Sequence, residues 1–168
     1  MVSLKLAEPG DFDFYYRLKC EPSNIAWSGH AKAPDRENLK HFFMDCIQHQ
    51  AEHDARKIYL VLDGETPVGH LFLIPAPYPE SGPDSFGLSP AISERYWRQG
   101  YAKEAIRLGL ELGKQMGFSE MYTMIREDNH ASFHAFSACG VQRTEDYETV
   151  YIPTLGKEVK MFIVRKRL

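Results

Sequence analysis

Apolar and polar residues alternate over residues 2–7, VSLKLA, which predicts a strand that Pro9-Gly10 stops. The period then lengthens. Asp11 opens a helix running to about Lys19, with Phe12, Tyr15, Tyr16 and Lys19 on one side. Residues 21–33 lack either period and read as a loop. Pro34-Asp35 starts a second helix, whose Leu39, Phe42, Phe43, Cys46 and Ile47 repeat at helical spacing. IYLVL (58–62) and PVGHLFLI (67–74) flank the turn residues 63–66 and predict a hairpin. A proline-rich loop (75–84) leads to the strand SFGLSPAI (85–92).

Residues 100–116 predict a helix with Ala102, Ala105, Ile106, Gly109, Leu110, Gly113 and Met116 along one side. Two glycines inside a helix cost about 1 kcal/mol each against alanine, so that side is expected to lie close against a sheet. EMYTMIRE (120–127) predicts a strand and residues 129–140 a short helix ending at Gly140. Two long strands around Thr154-Leu155-Gly156 close the chain. The order is βααβββαβαββ, an α/β (α+β) fold with a mixed central sheet of about seven strands and two helices on each side. No repeat, linker or low-complexity stretch divides residues 1–168, so one domain is expected.

Composition narrows the class. With 43% hydrophobic and 26% charged residues the chain reads as a soluble globular protein, and a net charge of −3 argues against a general nucleic-acid binder. No apolar run reaches membrane-spanning length and the first residues lack a signal layout, so no membrane partner is expected. Three cysteines without CxxC spacing read as reduced core residues. The expectation is a cytoplasmic protein.

Two places suggest a ligand. Arg98, Gln99, Gly100, Tyr101, Ala102 and Lys103 stand where a strand passes into a helix; Gly100 offers bare backbone, with positive charge on either side. Free N–H groups and the helix dipole suit an anion there, although glycine also serves an ordinary turn. In the preceding strand, Pro90 lacks a ladder donor, so that strand is expected to part from a neighbour and leave backbone groups for a ligand, unless it is an edge strand.

These residues resemble the GNAT N-acetyltransferases. Trp97-Arg98-Gln99-Gly100-Tyr101-Ala102 matches the family's Arg/Gln-x-x-Gly-x-Gly/Ala signature except at Trp97. YWRQGYAKEA (96–105) and DNHAS (128–132) look most like the ribosomal-protein N-terminal acetyltransferase branch. The resemblance implies acetyl-coenzyme A as acyl donor, with its diphosphate on residues 98–103, its pantetheine arm along Ala91 and Ile92, and Asn129 touching the same arm; Asn129 also suits a helix cap. It implies acetyl transfer to a primary amine, small molecule or peptide, by direct attack in a ternary complex.

The same resemblance exposes departures. Positions where relatives carry acid–base residues hold Phe136, Phe86 and Met124 here. Ser132 remains as the implied proton donor to the thiolate and Glu148 as the nearest carboxylate for a base. The acceptor end is expected among Trp27, His30, His70 and Tyr78; His70 equally suits a buried role. A coenzyme A-binding module without turnover is the alternative those departures favour. His49-Gln50-Ala51-Glu52-His53 fits an H-x-x-E-H zinc pattern, yet no third ligand is evident, so no metal is expected. The last two strands also offer an edge through which a homodimer could pair.

Overall fold

The computed structural model describes residues 1–168. Seven strands form one mixed sheet: β1 (Val2–Leu6), β2 (Lys57–Asp63), β3 (Thr66–Pro75), β4 (Ser85–Ile92), β5 (Glu120–Arg126), β6 (Gln142–Ile152) and β7 (Lys157–Arg167). Their spatial order is β1-β2-β3-β4-β5-β7-β6, antiparallel throughout except for β4 beside β5. The helices are α1 (Phe12–Lys19), α2 (Pro22–Trp27), α3 (Arg36–His49), α4 (Tyr101–Gln115) and α5 (His130–Ser137).

Helix α2 corrects the sequence reading, which left residues 21–33 as a loop. Pro22 sits in its first turn, where a missing N–H is harmless. The next donor is met from a distance: the Glu94 carboxylate accepts from the Ser23 N–H at 2.9 Å. Glu21 returns the favour, accepting from Ser93 Oγ at 2.7 Å and from the Glu94 N–H at 2.9 Å. These reciprocal caps fasten α2 to the end of β4.

One core lies on each face of the sheet. α4 and α5 cover Leu71, Leu73, Phe86, Leu88, Met121 and Ile125, while α1 and α3 cover Ile58 with Tyr15 and Phe43. The α4 glycines explain how closely that helix approaches. A Cβ on Gly109 would stand 2.9 Å from Leu71 and Leu88 side-chain carbons, and one on Gly113 would lie inside the Phe86 ring.

The parallel pairing of β4 with β5 covers only Ser85 with Glu120 and Phe86 with Met121. Beyond Phe86 the strands part. β4 continues along β3 to Ile92, and β5 along β7 to Arg126, so a wedge opens between them. Pro90 lies inside the wedge, where no strand asks it for a donor.

Candidate active site

The wedge opens into a cavity of about 810 Å³ bounded by the end of β4, the first turns of α4 and α5, and α2. That volume is within the range for small-molecule sites. Antiparallel pairing decides which backbone groups face it. The Ser93 N–H donates to Val68 O at 2.9 Å, so Ala91, in step with Ser93, gives its backbone to β3. Ile92 is out of step and turns its N–H toward the wedge, while its carbonyl accepts from the Trp97 indole N–H at 2.9 Å. Of the two residues expected to serve an arm along β4, both line the cavity, and Ile92 has the free donor.

The loop after Trp97 is shaped by two left-handed residues, Arg98 (φ 62°) and Gly100 (φ 84°). A non-glycine residue there costs on the order of 1 kcal/mol or more, and such strain concentrates at ligand sites. Gly100 is the N-cap of α4 and brings no side chain to cap it. The first helical bond runs from Glu104 N–H to Gly100 O at 3.1 Å. The N–H groups of Tyr101, Ala102 and Lys103 therefore have no acceptor within the helix. Arg98 and Lys103 are exposed and make no ion pair, unlike Arg107 one turn further along α4, which binds Glu104 and Glu111. Tyr101 is anchored through its hydroxyl to Asp63 at 2.7 Å. Free N–H groups, a helix dipole and two unpaired cations fit the diphosphate of coenzyme A. All six loop residues except Gln99 line the cavity.

Asn129 and Ser132 line the cavity from α5. The Asn129 Oδ1 accepts from the Ser132 N–H at 3.2 Å, so Asn129 is the helix cap, and its amide nitrogen remains for other partners. Trp27 lines the cavity from α2. The Arg126 guanidinium lies 4.1 Å from its ring centre and is itself held by Asp128 at 2.6 and 3.2 Å.

The other expected residues lie apart. Glu148 is opposite Met161 on β7, whereas its neighbour Tyr147 packs on Phe162 toward α5; Glu148 thus points to the opposite face. There it meets Glu80, and desolvation together with that second carboxylate raises the Glu148 pKa from its usual value. Tyr78 is beside them, its ring tilted against that of Tyr122 at 5.7 Å, its hydroxyl pKa raised mainly by burial. Ser132 and Glu148 therefore flank the sheet from its two faces. His30 is exposed and lines nothing in this cavity. His70 is 1% exposed between Tyr15 and Phe72 and stands outside the cavity wall, a correction to its expected place there.

Phe86 and Phe136 are core residues, at 0% and 2% exposure. The H-x-x-E-H histidines have separate partners: His49 binds Glu52 at 2.9 Å, and His53 meets Met116 O at 3.1 Å and stacks on Phe118. Not foreseen from sequence were Glu80 beside Glu148, and Asp128, Ser23 and Asn24 in the cavity wall. The Glu21-Pro22 step was a usable helix-start signal.

The family model for an acetyltransferase (GNAT) domain matches residues 2–142. The chain belongs to the GNAT acetyltransferases and is an enzyme of the N-acetyltransferase class. No curated protein matches its sequence. Among solved structures, the aminoglycoside acetyltransferase AAC(6')-Ib in complex with coenzyme A superposes with a TM-score of 0.81 at 15% identity, over 99% of this chain and 95% of that one. Spermidine N-acetyltransferase from Vibrio cholerae, with coenzyme A and spermine, gives 0.81 at 17% identity, over 99% and 95%. Ribosomal-protein-alanine N-acetyltransferase from Brucella melitensis gives 0.79 at 14% identity, over 99% of both chains. At these identities the likeness is one of fold.

Proposed function

We propose that this chain transfers the acetyl group of acetyl-coenzyme A directly to a primary amine, both substrates being bound together. The observation that carries this reading is the continuous cavity from the uncapped N-terminus of α4 to the β4–β5 wedge. The amine forms the new C–N bond as the C–S bond breaks. The Ile92 N–H is suited to hold the donor's polar arm along β4. Glu148 accepts the proton that the amine loses, and Ser132 supplies one to the departing thiolate. Holding both substrates in one geometry supplies much of the rate. Small-molecule amines are the favoured acceptors, in keeping with neighbours that hold kanamycin or spermine, and a protein N-terminus is the other class. The test is thiol release from acetyl-coenzyme A across an amine panel, beside calorimetric binding. Tight binding without thiol release on any amine would instead favour a binding module, the reading that buried Phe136 and Phe86 support.

The role of Glu148 has a pH signature. Its base form predominates only above its raised pKa, so the acid limb of the kcat/KM profile is displaced to higher pH than an unperturbed glutamate would give. Glu80→Gln removes the like charge and moves that limb to lower pH. A limb that stays in place in the variant would remove Glu148 from the reaction.

A further inference from the structure

The sheet face beneath α1 carries cations that no carboxylate answers. Lys19, the last residue of α1, holds its ammonium 5.1 Å from the Phe72 ring centre and 5.5 Å from that of Tyr15. The Arg56 guanidinium lies 5.6 Å from the same Phe72 ring and 5.5 Å from Phe42. Neither forms an ion pair, whereas Lys5, Arg36, Arg107, Arg126 and Arg165 all do. Against the same rings stands His70, whose two nitrogens have no hydrogen-bond partner although it is buried. Burial, then the nearby Lys19, holds the His70 pKa well below its usual value. Burial, then Arg56, brings Lys19 down to about 8. A desolvated Lys19 ammonium beside an unpartnered imidazole is costly unless something anionic joins it, and the exposed Arg56 leaves that place open to solvent.

Their position relative to the wedge gives them a use. His70 is directly opposite Ala91 on β4, and Phe72 is opposite the exposed Ser89. The Phe72 backbone, whose ring carries the Lys19 ammonium, is therefore one strand spacing across and two residues back from Ala91, roughly 10 Å from the wedge. We infer that Lys19 and Arg56, seated on Phe72, bind an anionic group, carboxylate or phosphate, carried by the amine acceptor about that far from its reacting nitrogen. The placement of the reacting nitrogen rests on the acetyl-transfer reading; the anion site does not.

The test uses ω-amino carboxylates and ω-aminoalkyl phosphates of graded length, each beside the n-alkylamine of equal length, with acetyl-coenzyme A and thiol release as readout. The charged member should be preferred by at least about tenfold in kcat/KM at the length that spans the distance, the effect expected of one charge-assisted contact. The preferred headgroup separates carboxylate from phosphate. Lys19→Met should erase the preference, and Arg56→Met should reduce it. Equal turnover of charged and uncharged members, or a preference that survives both substitutions, overturns the proposal. A second measurement is independent of turnover: the His70 ring resonances, followed by NMR as acetate or inorganic phosphate is added to the protein alone. A saturable shift that Lys19→Met abolishes supports the site, and no shift with either anion overturns it. If the shift saturates while no amine is acetylated, the anion site stands and the acetyl-transfer reading falls.

Discussion

Gly100→Asp weakens acetyl-coenzyme A binding by at least about a hundredfold and leaves the fold intact. The fold should tolerate the change because no atom lies within 4 Å of a Cβ built on Gly100. Its φ of 84° is left-handed, a region that aspartate visits more readily than most residues. A new carboxylate at the N-cap would compete for the N–H groups of Ala102 and Lys103 that the proposed diphosphate site needs. It would also face that diphosphate at short range. Two like charges about 5 Å apart in a partly screened setting repel by roughly 3 kcal/mol, which is about a hundredfold in affinity. Gly100→Asn has the same shape without the charge and should stay within about tenfold of the parent. Calorimetric Kd values for the three proteins decide the matter. An aspartate variant that binds as tightly as the parent would mean that the loop does not cradle the diphosphate.

Gly113→Ala lowers stability, although alanine is the better helix former by about 1 kcal/mol. The added methyl would enter the ring of Phe86, which is 0% exposed and backed by Phe118 at 5.2 Å, so the ring has nowhere to turn. Overpacking of this kind costs about 1–3 kcal/mol, enough to outweigh the helix gain at its upper end. A net loss of about 2 kcal/mol would lower Tm by roughly 4–8 °C for a chain of this size. Calorimetric melting of the two proteins tests it; a rise in Tm would contradict the close seating of α4 on Phe86.

The seven strands and four of the five helices could be read from the sequence: most bury one face against a neighbour and repeat accordingly, while β6, which buries no residue, showed only as a long strand beside the turn at Thr154-Leu155-Gly156. The wedge was readable too, since a proline inside an apolar strand implies a missing rung. Helix α2 was not, because its six residues are too few to show a period and its Ser23 N–H is met by Glu94, 71 residues away. Alternation put His70 on one face of β3 but could not say whether that face met water or Tyr15 and Phe72. Glu148 looked like one of several acidic residues on an exposed strand. What sets it apart is Glu80, delivered by a loop that sequence reading could only describe as proline-rich.

The wedge also makes the sheet two half-sheets rather than one. β1 to β4 form one and β5, β7 and β6 the other, and only the rungs at Ser85 and Phe86 join them directly. Gly113, pressed on Phe86, sits over that hinge line. A ligand that threads the wedge and takes the free donor of Ile92 stands in for the absent rungs. Cofactor binding therefore acts as a mechanical splint: its free energy adds to the resistance of the whole fold to unfolding, by RT ln(1 + [L]/Kd), as well as to the grip of one loop.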